Sequence, residues 1–192
     1  MGGSLSPVVS AHRLPKKRPD YLLRYTRDFT LAAVEAKRES KLPSDGLQQA
    51  KDYADLLDLP FAYSTNGHEI VEYDYLTGLE RVVAGFASPR ELLERFIAAR
   101  KLSETTVQRL LQPANSLSGK APRYYQDIAI NRALEAIASG EDRVLLTLAT
   151  GTGKTFIAFQ ICWKLWTSGW TRSGIRRRPR VLYLADRNCA VI

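Results

Sequence analysis

Leu31-Ala32-Ala33-Val34-Glu35-Ala36-Lys37 is an almost wholly apolar run that ends in two charges of opposite sign. Strands buried on both faces read as continuous apolar runs, so this segment predicts an interior strand that delivers Glu35 and Lys37 to a cleft. Residues two apart on a strand project to one face, which puts the two side chains together. Tyr21–Tyr25 predicts a second strand, joined to the first by a polar turn around Arg27-Asp28. A hairpin centred there sets Asp20 opposite Glu35, with Cβ atoms about 4.5–5.5 Å apart, close enough for the two carboxylates to share one divalent ion. Phosphodiester hydrolysis needs such an ion to stabilise charge and activate water. Lys37 would orient that water or neutralise the developing phosphate charge. An isolated Glu-x-Lys is ordinarily a solvated strand face or an ion pair, and the apolar run is what distinguishes this one. Asp28 is the rival carboxylate to Asp20, although it falls in the turn.

Working outward, Pro43-Ser44-Asp45-Gly46 predicts a turn and a helix start, with Asp45 as N-cap and Gln48 completing a capping box. The helix is expected to run to about Asp58 and to bury Leu47, Ala50, Ala54 and Leu57 on one stripe. Gln49 and Tyr53, four apart and so on one side, lie at the edge of that stripe. There they either reach a cleft or stay a solvated Gln and a partly buried Tyr. Phe61–Thr65 and Glu69–Tyr75 predict strands flanking an Asn66-Gly67 hairpin turn. Helices are expected at Pro89–Lys101 and Glu104–Leu111.

A composition shift at 112–122 (Pro, Asn, Ser, Gly, Lys) reads as an interdomain linker. Beyond it come a helix (Tyr124–Ser139), a buried strand (Val144–Leu148), a glycine loop, a helix (Lys154–Thr167) and a strand (Val181–Ala185), the alternation of a doubly wound α/β domain. The loop is Ala149-Thr150-Gly151-Thr152-Gly153-Lys154-Thr155. Its glycines let backbone amides close around phosphates, and the new helix presents its positive N-terminus. Lys154 would reach the β- and γ-phosphates and Thr155 would ligate Mg²⁺. The strict phosphate-loop pattern fails only at its first position, where Leu148 stands.

The chain carries a net charge of +8 and a pI of about 9.6, which favours a polyanionic partner. Cys162 and Cys189 are too few for a disulfide framework and have no metal-ligand spacing around them. No apolar stretch is long enough to span a bilayer, and the first residues lack the apolar core of a signal peptide. A cytoplasmic protein with no membrane partner is therefore expected. Arg172, Arg176, Arg177, Arg178 and Arg180 form a basic loop that reads as solvated more readily than as a phosphate contact. Trp163, Trp166 and Trp170 recur at helical spacing and suit packing better than base stacking, while His12 and His68 have no ligand-like company.

Pro19-Asp20, Glu35-x-Lys37 and Gln49-x-x-x-Tyr53 together resemble the PD-(D/E)xK nuclease signature with the glutamine–tyrosine motif of its RecB-like branch. The wider run through Gly46–Ala50, Pro60-Phe61 and Ser64–Gly67 is similar to the motor (R) subunits of type I restriction endonucleases. The resemblance implies that Asp20 and Glu35 are Mg²⁺ ligands, that Lys37 is the catalytic lysine, and that Gln49 and Tyr53 support the site. Leu148–Thr155 is similar to motif I of superfamily 2 helicases and translocases. Arg123–Gln126 resembles the upstream motif in which Gln126 would recognise the adenine of ATP, against an ordinary helix-start residue. Val181–Asn188 resembles motif Ia.

The fold so implied is α/β: an irregular basic arm (1–19), a PD-(D/E)xK-like mixed-sheet nuclease domain (20–111), a linker (112–122), and the first part of a RecA-like doubly wound motor domain (123–192). The chain is expected to be a fragment, ending before the acidic Walker B motif. Expected partners are double-stranded DNA and the methyltransferase and specificity subunits. Nuclease-before-motor order favours type I over type III. Two other readings stay open: a superfamily 2 helicase with a non-catalytic nuclease-like domain, and an inactive module that binds DNA or a subunit.

Overall fold

The computed structural model describes residues 18–115, 122–171 and 179–184. Strands β1 (Tyr21–Thr26), β2 (Phe29–Ala36), β3 (Phe61–Thr65), β4 (Ile70–Asp74) and β5 (Leu79–Val83) form one sheet in the order β1-β2-β3-β4-β5. Only the β2–β3 pair is parallel. A parallel pair needs a crossover, and helix α1 (Ser44–Leu57) provides it. The apolar run is interior, as its composition predicts: Leu31 through Glu35 are all buried, with β1 on one side and β3 on the other.

Alternation along β2 and β3 splits the core between the two sheet faces. Ala33 and Ala62 face Ala50, Tyr53 and Ala54 of α1, and these small residues bring helix and sheet close together. Ala32, Val34, Phe61 and Tyr63, with Leu31 joining them from the bulge in β2, belong to a larger cluster with Leu92, Leu93 and Phe96 of helix α2 (Pro89–Arg100). That cluster continues through Leu110 of α3 (Glu104–Leu110), Ala129, Ile130 and Leu134 of α4 (Tyr124–Ala138), and Ile157 and Leu165 of α5 (Lys154–Thr167).

Polar groups fix the sheet end. The carboxylate of Glu72, 1% exposed, accepts from Arg95 at 2.8 and 3.0 Å, from Arg81 at 2.8 and 3.1 Å, and from the Tyr63 hydroxyl. Arg95 also donates to Asp74 at 2.7 Å. Burial alone would raise the Glu72 carboxyl, but these hydrogen bonds, led by Arg95, hold it down at about 2.

Side chains also join the two halves of the chain. Gln160 Nε2 donates to the Asn115 carbonyl at 2.9 Å and Gln160 Oε1 accepts from the Asn115 amide at 2.8 Å. One turn on, the buried Lys164 donates to the Leu110 carbonyl at 3.1 Å. Arg132 of α4 makes two 2.6 Å hydrogen bonds to Asp58, the C-cap of α1.

Several expectations need correction. Asp45 is not the cap: α1 begins at Ser44 after Pro43 with no side-chain cap, and Asp45 lies in the first turn, where its charge complements the helix dipole. Gln48 bonds Asp52 instead. The loop between β3 and β4 has four residues, and the Asn66 side chain accepts the amides of His68 and Glu69. Strand β5 is additional to the sequence reading. Val144–Leu148 and residues 181–184 form no strand among the described residues; Leu145, Leu182 and Leu184 are 68%, 83% and 81% exposed. An apolar run becomes a strand only when a neighbour takes its backbone groups. Most of the basic arm, 116–121, Arg172, Arg176–Arg178, the second half of the motif Ia stretch (185–188), Cys189 and His12 lie outside the described residues.

Candidate functional site

The hairpin register that matters is set at the open end of β1 and β2. Tyr21 pairs with Val34, so one further step brings Asp20 opposite Glu35, and Asp20 Oδ2 accepts the Ala36 amide at 2.8 Å. The turn falls at Arg27-Asp28, and bulges near Arg24 are absorbed before the open end is reached. Asp28 therefore lies at the far end of the hairpin, where its carboxylate accepts the Ala114 amide at 3.2 Å. The rival carboxylate is thus remote from Glu35.

The other four residues named from sequence form one hydrogen-bonded chain. Lys37 Nζ donates to Glu35 Oε1 at 2.9 Å and to Gln49 Oε1 at 3.1 Å. Gln49 Nε2 donates to the Tyr53 hydroxyl at 3.3 Å. The crossover explains the convergence: α1 returns the chain over the face of β2 that carries Ala33 and Glu35, and its i, i+4 spacing aims Gln49 and Tyr53 at the same spot. Glu35 is 6% and Tyr53 3% exposed, whereas Asp20 is exposed. The solvated-face reading of the Glu-x-Lys pair does not describe this arrangement.

Two residues to which the sequence reading gave no site role complete the cluster. Ser64 is the β3 partner of Glu35. Gly46 lies over both strands: a Cβ there would come within 2.4 Å of Ser64 Oγ and 2.8 Å of Lys37 Cε. Only a missing side chain lets α1 start this close.

Glu35 Oε2 and Ser64 Oγ are buried and have no hydrogen-bond partner. A carboxylate oxygen left without a donor suits a hard divalent cation. Among the described residues no three His, Cys, Asp or Glu side chains gather around one point.

The second group of residues is assembled around the glycine loop. Gly151 and Gly153 have φ of 78° and 84°, left-handed values that L side chains disfavour. Gly153 is the N-cap of α5. Thr152 Oγ1 bonds the Ala149 carbonyl at 2.6 Å, and exposed Lys154 folds back on the carbonyls of Leu148 and Ala149 at 3.3 Å each. Thr150 and Thr155 are exposed. Gln126 is not turned outward: Nε2 donates to the Thr152 carbonyl at 2.9 Å while Oε1 accepts the Arg123 amide at 2.8 Å. It latches helix α4 to the loop.

A family model described as "Type III restriction enzyme, res subunit" matches residues 119–191, the part of the chain containing this loop. Among curated proteins, the chain is 39% identical to the endonuclease subunit of the type I restriction enzyme EcoAI from Escherichia coli, over 94% of this chain and 22% of that protein. It is 30% identical to the corresponding EcoKI subunit from Escherichia coli strain K12, over 88% of this chain and 14% of that one. A solved fragment described as an HsdR subunit of a type I restriction enzyme from Vibrio vulnificus YJ016 superposes with a TM-score of 0.81 at 50% identity. It covers 91% of this chain and 33% of that one. The chain thus spans about a third or less of the proteins it matches. Over nearly all of its own length, the chain is similar to part of the endonuclease subunits of type I restriction enzymes.

Proposed function

We propose that this chain contributes the DNA-cleaving site and the ATP phosphate loop of a type I restriction enzyme. The observation that carries the reading is the chain Glu35–Lys37–Gln49–Tyr53, with Asp20 across the hairpin and an unmatched buried oxygen on Glu35. The five-stranded sheet with α1 across its parallel pair is then the nuclease fold of the PD-(D/E)xK class. Residues 20–111 form that domain, and 123–192 begin a RecA-like motor beyond the 112–122 linker.

In this reading Asp20 and Glu35 would hold Mg²⁺, which would supply charge stabilisation and an activated water. Lys37, already positioned by Gln49, would face the developing negative charge, and Tyr53 bonds Gln49 in turn. At the glycine loop, Thr150–Thr155 would cradle the phosphates of ATP, with Lys154 for the β- and γ-phosphates and Thr155 for the nucleotide Mg²⁺. Gln126 reports on the loop through Thr152. The net charge of +8 suits a DNA partner. Methyltransferase and specificity subunits would supply sequence recognition. Among the described residues no helix is long and apolar enough to cross a membrane, and we place the protein in the cytoplasm beside its DNA.

The test uses the full-length subunit assembled with those partners. Glu35→Ala is expected to abolish DNA cleavage and leave ATP hydrolysis intact, while Lys154→Ala removes both. Unchanged cleavage in Glu35→Ala would favour a helicase whose sheet domain is not catalytic.

A further inference from the structure

We infer that Ser64 is a positioning residue for Glu35, its buried hydroxyl serving to hold the carboxylate in place once a divalent cation competes with Lys37 for it. The inference rests on the nuclease reading above and adds a residue to it.

Glu35 and Ser64 are register partners on the parallel strands β2 and β3. Ala33 and Ala62, two residues before them, both pack on the α1 side, so Glu35 and Ser64 share that face by strand alternation. Ser64 is 0% exposed. Its hydroxyl and Glu35 Oε2 are the two buried side-chain oxygens found without a partner among the described residues. One is a donor and the other an acceptor that lacks one.

Gly46 closes the remaining directions. The start of α1 lies so near that a Cβ at 46 would meet Ser64 Oγ at 2.4 Å and the Lys37 side chain at 2.8 and 3.0 Å. Ser64, Glu35 and Lys37 are therefore confined together. If Ser64 were only filler, alanine would occupy the same space without burying an unmatched hydroxyl. A serine retained at such cost belongs to another state of the site, in which the Glu35 carboxylate no longer has Lys37 to itself. The Ser64 hydroxyl, register partner of Glu35 and not bonded to it in this state, then donates to the carboxylate and keeps it from swinging away, as partners of a ligand do in metal sites generally.

Manganese binding tests this without any need for cleavage. Titrate Mn²⁺ into the 192-residue chain by calorimetry, comparing wild type, Glu35→Ala and Ser64→Ala, and follow the thermal melting of each in the absence of metal. Ser64→Ala is expected to weaken Mn²⁺ binding about 10–100-fold while melting at the wild-type temperature or above it. If Glu35→Ala loses the site but Ser64→Ala binds as wild type does, Ser64 is filler and only this inference is overturned. A Ser64→Ala chain that melts well below wild type makes the residue structural and also overturns it. If wild type binds no Mn²⁺, or Glu35→Ala binds it equally well, the nuclease reading falls and Ser64 with it.

Discussion

The two functional regions rest on frameworks of opposite kind. Around Glu35 every strand has a hydrogen-bonded neighbour, and the site is sunk between sheet and helix. Around Lys154 the approach segment 143–149 has no ladder partner among the described residues, and the loop residues are largely exposed. Connectivity explains the contrast. Three of the four strand pairs are hairpins closed by turns of two or four residues, so neighbours in space are neighbours in sequence. A parallel sheet recruits its strands across crossovers of a dozen or more residues. Local pairing completes the first framework; the second depends on segments far apart in the chain.

The sharpest way to break this comparison is to unsettle the first framework. Arg95 is the main partner of buried Glu72 and also holds Asp74. Arg95→Ala is expected to cost about 3–5 kcal/mol in urea unfolding, because it leaves a buried charge under-compensated. The same network sets a pH dependence. The Glu72 carboxyl sits at about 2 when folded against 4.5 ordinarily, so the folded state binds fewer protons in between. Its stabilisation is complete above about 4.5 and is lost as pH falls toward about 2. Melting temperature should drop over that window, and less steeply in Arg95→Ala.

A smaller change sharpens the contrast from within the site. Gly46→Ala forces a methyl group against Ser64 and Lys37 and is expected to destabilise by about 1–3 kcal/mol, with loss of Mn²⁺ binding. Smallest of all should be Leu145→Ala. Its side chain is 68% exposed, and the change in unfolding free energy should stay within about 0.5 kcal/mol. A large effect there would mean that the segment before the phosphate loop is buried in solution.

These contrasts follow the line between what was readable in the sequence and what was not. The hairpin register was readable because a two-residue turn at Arg27-Asp28 fixes which residues oppose each other. Helical spacing puts Gln49 and Tyr53 on one side but leaves open whether they reach a cleft, and it is the resemblance that names them as site residues. Ser64 and Gly46 were not readable. Their positions depend on how β3 registers against β2 across the interval 37–60, and no local pattern encodes that. Strand β5 escaped because its residues are mostly exposed and it forms the sheet edge, which leaves little apolar alternation to read. Val144–Leu148 was over-read for the complementary reason: apolar composition announces a strand's preference for burial, not the presence of a neighbour. Gln126 was found by position, yet its contacts are with the loop backbone rather than with open space.

Gln160 and Lys164 give the junction a mechanical character. Both lie on the helix that starts at the glycine loop, and both hold peptide groups of the segment that leaves α3. A connector whose backbone is gripped in this way is tied to α5 as a splint is, so a displacement of that helix would pull directly on residues 110–115.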